Sequence, residues 1–335
     1  MRFVGAILLV AACTLARAGD ADRSTAPSGT AAQSRSAAPS RSAAPSRTAA
    51  QAGKNASGDP SAITLRRSAC PCGHCCVAIT PNFRIFWCTS ENDLRELAER
   101  CERLAATTKE SWLGKQPSQP WVPKCDVVVH PHVAEYVQAL GPGSQQTSGC
   151  ATIQLDQGRV VARRIDFRAD AADWKTETLP HELTYVVLAD RFCRFRISPW
   201  ADEGIAMLAE SPTKLRRRLN DLRQVAADRS IYTARDLINV NSSPEPASRA
   251  AFYGQSLALV SLLLDWGSRE QLLQFVEASQ LKGPDAALRD VYGDHSAAKL
   301  ERQFRDYQLT DRPLTWAQQN FIAAAIRPLA GAMPE

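Results

Sequence analysis

Alternating hydrophobic and polar positions predict strands in the first part of the chain. In residues 82–87, Phe83, Ile85 and Trp87 recur at every second position, which is typical of a half-buried strand. The run at 125–130 contains three consecutive valines and suits a buried strand. Residues 151–155 and 159–167 flank an Asp-Gln-Gly turn, and this arrangement predicts a hairpin.

Hydrophobic positions at helical spacing predict the remaining elements. A helix capped by Thr89 or Ser90 would bury Leu94, Leu97, Ala98, Cys101 and Leu104. A short helix is predicted at about 132–140, and from Glu177 onward nearly everything has a helical pattern. The later helices are expected near 179–190, 199–206, 212–227, 248–265, 268–279, 285–292, 296–308 and 315–328. The order of elements predicts an α+β fold, a small N-terminal sheet with helices followed by a mostly helical half, over residues 77–330.

The N-terminal 62 residues have the composition of a signal peptide and a linker. Arg2, an apolar run at 3–15 and Ala-Arg-Ala at 16–18 predict a signal peptide over residues 1–18, and therefore export. The alternative is a lipoprotein, because Val-Ala-Ala-Cys at 10–13 resembles a lipobox that would anchor the chain through Cys13. No other stretch is apolar for long enough to span a membrane. Residues 19–62 repeat Ser-Ala-Ala-Pro-Ser-Arg directly and predict a disordered linker.

The distribution of charge argues against a nucleic-acid partner. The chain has 40 Lys and Arg and 35 Asp and Glu, a net charge of +5. Residues 1–62 hold seven of the basic and three of the acidic residues, so the remainder has 33 basic and 32 acidic residues, a net of +1. A basic cluster at Lys214 and Arg216–Arg218 would spread around a helix, which favours a solvated face over a phosphate site.

Ten cysteines in an exported chain predict disulfides. Removal of Cys13 with the signal peptide would leave nine, and therefore one unpaired thiol. The Cys-rich segment at 63–76 includes the dense run Cys70–Cys76, for which metal binding or a redox role is the alternative. A structural zinc site needs a second pair of ligands, however, and only Cys88 follows nearby.

The most informative segment for function is Leu179–Asp190. A His-Glu-x-x-His helix places two imidazoles on one face and leaves the Glu as general base of a zinc protease. Here His181 and Glu182 are in place, but Tyr185 stands where the second His is expected. A third ligand would come from another element. Glu203, 18 residues after Tyr185 in the first turn of its predicted helix, is the natural candidate.

These two segments, followed by Tyr-Gly-Gln-Ser at 253–256, resemble the gluzincin metallopeptidases, in particular exported bacterial peptidase-MA-like proteins. The resemblance covers roughly residues 78–310, and its specific motifs are Leu179–Thr184 and Trp200–Ala206. It implies a zincin-like helical half, a zinc ion held by His181 and Glu203, Glu182 as general base, and a peptide or protein substrate. Zinc would activate water and polarise the scissile carbonyl.

Tyr185 weakens this expected zinc site. Ionising a phenol with a pKa of about 10 costs roughly 4 kcal/mol at pH 7, a cost that zinc can offset. Geometry is the harder objection, because the phenol oxygen lies further from its backbone than an imidazole nitrogen. The sequence therefore predicts a degenerate zinc site and a weak or inactive peptidase. The alternatives are an active zinc-dependent peptidase that uses Tyr185 as third ligand, and a non-catalytic binding or scaffold module.

Two further residues have alternative roles. Tyr253 could face the cleft and hydrogen-bond a reaction intermediate, although core packing is the favoured interpretation. His130, at the end of the predicted valine-rich strand, could point toward the cleft, although a surface position is favoured.

Overall fold

A computed structural model describes residues 8–15, 63–67, 75–115, 119–228, 231–242, 244–293 and 295–319. The predicted linker lies outside the described residues. So do positions 1–7 and 16–18 of the predicted signal peptide, most of the run Cys70–Cys76, and the last predicted helix beyond Gln319.

The described chain has the predicted α+β fold, with a mixed seven-stranded sheet. The strands are β1 (Leu8–Leu15), β2 (Thr64–Arg67), β3 (Cys75–Ile79), β4 (Phe83–Cys88), β5 (Cys125–His130), β6 (Thr147–Asp156) and β7 (Arg159–Arg168). Their order across the sheet is β1-β6-β7-β5-β4-β3-β2. The pairs β4·β5 and β5·β7 are parallel, and the other neighbours are antiparallel.

Burial along the strands follows the alternation in the sequence. In β4, Phe83 and Ile85 are buried and Arg84 and Phe86 are exposed, as predicted, while Trp87 is half-buried. In β5, Cys125 and the first and third valines are buried. The β6–β7 hairpin turns at Gln157 and Gly158, whose φ angles of 47° and 73° are both positive. A two-residue turn of this kind matches the right-handed twist of the strands.

The sheet extends beyond the strands that the sequence predicts. Residues 64–67 lie in the predicted Cys-rich segment 63–76 and form β2, and residues 75–79, which begin at its end, form β3 at the same edge of the sheet. Residues 8–15, inside the predicted signal peptide, form β1 at the other edge, antiparallel to β6. Cysteines and an apolar run dominate the composition of these segments and leave only a weak strand pattern. The signal peptide stays a prediction.

Eleven helices are described. They are α1 (Glu91–Leu113), α2 (Val133–Leu140), α3 (Leu179–Leu188), α4 (Pro199–Met207), α5 (Pro212–Ala227), α6 (Ala234–Ile238), α7 (Arg249–Trp266), α8 (Arg269–Lys282), α9 (Pro284–Tyr292), α10 (Ala297–Tyr307) and α11 (Arg312–Gln319). The sequence predicts α2–α5 and α7–α10 to within about three residues. It predicts the start of α1 but gives no end for it, and the predicted end of α11 at residue 328 lies outside the described residues. α6 is not predicted, because it is too short for a clear period. Among the described residues, no helix is long and apolar enough to cross a membrane.

α3 lies where two hydrophobic clusters meet. One cluster joins the sheet to α1 and includes Leu183 and Val187 of α3. The other fills the helical half and includes Leu188 at the end of α3. All ten residues of α3 are buried. This helix is therefore covered on every side, and its polar residues lie in the interior.

Gly204 lets α4 pack closely on α7. A Cβ atom at this position would lie 2.5 Å from Val260 Cγ2 and 2.6 Å from the Ser256 carbonyl oxygen. Both distances are far below van der Waals contact, and one of the two partners is backbone. Because Gly204 directly follows Glu203, this close packing also fixes the depth at which Glu203 enters the interior.

We therefore expect Gly204→Ala to lower the free energy of unfolding by about 1–3 kcal/mol, the usual cost of overpacking a core. Chemical denaturation of the variant and the parent protein measures this difference. In a helix without such crowding, Gly→Ala is stabilising by up to about 1 kcal/mol. A more stable variant would contradict the described packing of α4 on α7.

Candidate functional site

His181 and Glu182 lie in the interior, at the irregular start of helix α3. A π-helical turn at Trp174–Thr178 leads directly into α3. Pro180 is accommodated in the first turn, where no intrahelical donor is lost. The Thr184 hydroxyl donates to the Pro180 carbonyl oxygen at 2.9 Å. These contacts place two polar side chains in the first turn of a fully buried helix.

The structure brings three of the predicted site residues together. Nε2 of His181 lies 2.7 Å from the Tyr185 hydroxyl oxygen, one helical turn further along α3. The same nitrogen lies 3.6 Å from Glu203 Oε2, which reaches over from α4. His181 and Tyr185 are 0% and 2% exposed. The predicted convergence of α3 and α4 is therefore present, with the phenol in contact with the imidazole, although Glu203 lies just beyond the first turn of α4.

Glu210 is the site residue that sequence reasoning missed. Its Oε1 lies 2.8 Å from Nδ1 of His181, on the side of the ring opposite Tyr185, and both side chains are fully buried. Histidines that bind metal typically have a carboxylate in this position, where it fixes the ring orientation. Glu210 lies in the turn that follows the end of α4 at Met207, so neither helical spacing nor a motif marks it in the sequence.

Glu210 is held in turn by two cations from α5. Arg218 donates to both carboxylate oxygens at 2.7 and 2.6 Å, and Lys214 Nζ lies 3.1 Å from Oε1. Burial opposes ionisation of this carboxyl, but Arg218 and Lys214 outweigh it and keep the pKa of Glu210 well below its usual value. The predicted solvated face of α5 is therefore wrong for these two cations, which turn inward because a buried carboxylate needs them. Arg216 and Arg217 are exposed, as that prediction requires.

The surrounding carboxylates favour the protonated form of His181. Burial alone would lower the imidazole pKa, but Glu203 and Glu210 outweigh burial and raise it to about 9. At neutral pH the ring is therefore an imidazolium. A metal that binds through this ring would therefore have to release a proton from it.

The pKa of the Tyr185 hydroxyl is shifted away from ionisation. Burial, followed by the charge of Glu203, raises its pKa well above 10. Asp202, next to Glu203, is also buried, and burial together with the Glu203 charge raises its pKa well above its usual value. Tyr185 thus remains a neutral phenol that hydrogen-bonds His181.

Glu182 lies against the sheet. Its Oε2 accepts a hydrogen bond of 2.8 Å from the backbone N–H of Ala151 in β6. The Glu182 side chain is fully buried. The carboxylate that the resemblance assigns as general base therefore joins α3 to the neighbouring strand.

The residues present do not form a three-ligand zinc site. Two donors of the expected kind face each other, His181 Nε2 and Glu203 Oε2, and the latter is buried without a hydrogen-bond donor. The third position is a neutral phenol that already contacts His181. Within the described part of the chain, no group of three or more His, Cys, Asp and Glu side chains is arranged to hold a metal ion.

A cavity of about 650 Å³ lies beside this buried cluster. Arg218 and Lys214 form part of its wall and connect it to Glu210, and Tyr253 of α7 also faces it. His181, Glu182, Tyr185 and Glu203 do not line it. The Arg218 guanidinium lies over the Tyr253 ring at 5.1 Å from the centroid. Core packing is therefore only part of the role of Tyr253, which forms a wall between the cluster and the cavity.

Two other polar residues of the sequence analysis have structural roles. Gln255, next to Tyr253 in the motif, accepts from the Tyr232 N–H and donates to the Tyr232 carbonyl oxygen, both at 2.7 Å. His130 Nε2 lies 2.7 Å from Asp166 Oδ1, and Asp166 is fully buried. The favoured surface position does not hold for His130, because a buried Asp166 pairs with its imidazole, whereas His132 two residues further on is exposed.

No protein-family model matches this chain, and no curated protein matches it significantly.

The raised pKa of His181 predicts a specific pH dependence of stability. A group whose pKa is about 6.5 unfolded and about 9 folded stabilises the protein fully below pH 6.5 and loses that contribution as the pH rises toward 9. The free energy of unfolding of the parent protein should therefore fall by up to about 3 kcal/mol more than that of His181→Gln over this interval. Urea denaturation at a series of pH values measures both profiles. Parallel profiles would contradict a buried imidazolium.

Proposed function

We propose that this chain is an exported protein with a gluzincin-like fold whose zinc site has become a closed polar cluster, and that it acts as a non-catalytic binding module. Support for the fold relationship comes from the convergence of His181 and Glu203 from two consecutive helices, with Glu182 beside the first. Support for export comes from the signal-peptide pattern at residues 1–18.

The observation that carries this proposal is the 2.7 Å contact between the Tyr185 hydroxyl and His181 Nε2. This is the nitrogen nearest Glu203, and a metal would have to displace both the phenol and a proton from it. Displacing the proton alone costs about 3 kcal/mol at pH 7 for a pKa of about 9. With two classical donors left, the cluster has little coordination energy to offset that cost.

Burial supports the same conclusion. Hydrolysis requires a substrate carbonyl and a water to reach the general base, and Glu182 is completely buried with a backbone hydrogen bond from Ala151. The adjoining cavity is lined by other residues. The arrangement favours a role in which a ligand occupies the cavity and the polar cluster stabilises its wall.

The second candidate is an active zinc-dependent peptidase, and two observations favour it. Glu210 lies 2.8 Å from Nδ1 of His181, the position that outer carboxylates take beside metal-bound imidazoles. Glu203 Oε2 is buried without a hydrogen-bond donor, as expected for an oxygen that awaits a cation. These features are also what a lost zinc site would retain.

Zinc titration of the purified protein separates the two candidates. We expect the parent protein to bind no stoichiometric zinc at pH 7, and Tyr185→His to bind it at least a hundredfold more tightly, because a third classical ligand is restored. Tyr185→Phe is the matched control. It removes the hydroxyl without supplying a ligand and should stay metal-free.

Glu203→Ala in the Tyr185→His background should abolish the gained binding if both residues address one ion. Stoichiometric zinc in the parent protein that is lost in Glu203→Ala would overturn the non-catalytic proposal and favour the peptidase. Equal, negligible affinity in Tyr185→His and Tyr185→Phe would show instead that no zinc site is latent in this fold.

A further inference from the structure

The cavity beside the polar cluster has two guanidinium groups available to a ligand. Arg217 of α5 and Arg249 of α7 both line it. Throughout the described ranges, neither forms an ion pair with a carboxylate, and the one hydrogen bond of the Arg249 side chain is a 3.4 Å contact with Gln146. By contrast, the neighbouring Arg218 and Lys214 are bound to Glu210. Arg218 and Lys214 therefore have a structural role, whereas the guanidinium groups of Arg217 and Arg249 are available to a ligand.

Charges of both signs around the cavity narrow the class of ligand. Asp173, Glu177 and Asp221 also line it. A ligand with two or more negative charges, such as a phosphate or a nucleic acid, would be repelled by these side chains as well as attracted by the arginines. A planar guanidinium recognises a carboxylate by paired hydrogen bonds. A single carboxylate carries one negative charge, so the acidic side chains of the lining repel it less than a polyanion.

The remaining lining suits a peptide. Val225, Pro246 and Ala250 supply apolar surface, and Thr213 and Tyr253 supply hydroxyl groups. Burial, followed by the charge of Glu203, raises the pKa of Tyr253 above its usual value, so its hydroxyl stays a neutral donor. A volume of about 650 Å³ lies within the range of pockets that enclose small ligands, roughly 300–1,000 Å³.

We propose that this cavity binds a short peptide segment through its carboxylate, which pairs with Arg217 and Arg249. This inference rests on the proposed function as a binding module and names its ligand class. The carboxylate can be the C-terminus of a peptide or an acidic side chain within one. Both present the same two oxygens to the guanidinium groups, and the experiment distinguishes them.

Ligand-observed NMR titration of the full chain tests the inference with three probes. These are acetyl-tetraalanine with a free C-terminus, the same peptide with a C-terminal amide, and the amidated peptide acetyl-Ala-Ala-Asp-Ala. We expect a carboxylate-bearing peptide to bind about tenfold or more tightly than the neutral amide, the usual value of a charged hydrogen bond. Which of the two carboxylate probes binds identifies the source of the carboxylate.

Charge-removing variants test the named residues. Arg217→Gln and Arg249→Gln should each weaken binding of the preferred peptide about tenfold. Arg216→Gln is the matched control, because Arg216 is exposed on the same helix and does not line the cavity. Thermal melts of all three variants should match the parent protein, since these side chains carry no ion pair in the described structure.

Two results would overturn the inference: equal binding of acid and amide peptides, or equal binding by the arginine variants and the parent. Mass spectrometry of the peptides after titration is read separately. Cleaved peptide would overturn the non-catalytic proposed function and leave the binding result intact. Intact peptide without carboxylate-dependent binding would overturn only the inference.

Discussion

The interior of this protein depends on a charged imidazole, buried where the sheet and the helical half meet. His181 contacts Glu210 through one ring nitrogen and Tyr185 through the other, with Glu203 nearby. A buried charge is tolerated only when it is paired and hydrogen-bonded. The surrounding helices are arranged accordingly. α4 packs closely enough to bring Glu203 near His181, and α5 turns Lys214 and Arg218 inward, where they balance the charge of Glu210.

Much of this fold can be predicted from the sequence, because most elements have a clear hydrophobic period and clear ends. The strand at Phe83–Cys88 alternates, and α1 has both a capping Ser90 and a buried stripe. Strands β2 and β3 were missed because short edge strands among cysteines give a weak periodic signal. The position of helix α3 can be predicted from the sequence, but its burial on all sides cannot, since hydrophobic periodicity indicates one apolar side.

The candidate site can likewise be predicted only in part from the sequence. Spacing on a helix is enough to place Tyr185 beside His181, and the position of Glu203 in the next helix follows from the need for a third ligand. Glu210 and its partner Arg218 have no motif, because their pairing depends on how α5 folds back onto the end of α4. A basic run indicates a solvated surface on average, and only tertiary structure shows that two of its four cations turn inward.

In the proposed function, Tyr185 is the residue on which the chemistry of this cluster depends. The phenol of Tyr185 occupies the space beside His181 Nε2, while Glu203 and Glu210 raise the pKa of the imidazole. The protonation state of that ring at neutral pH is therefore the central claim. Nitrogen-15 NMR of the histidine side chains at pH 7.5, with His181→Gln to assign the signal, tests it directly. We predict that both His181 ring nitrogens carry protons; a neutral or metal-bound nitrogen would contradict this account.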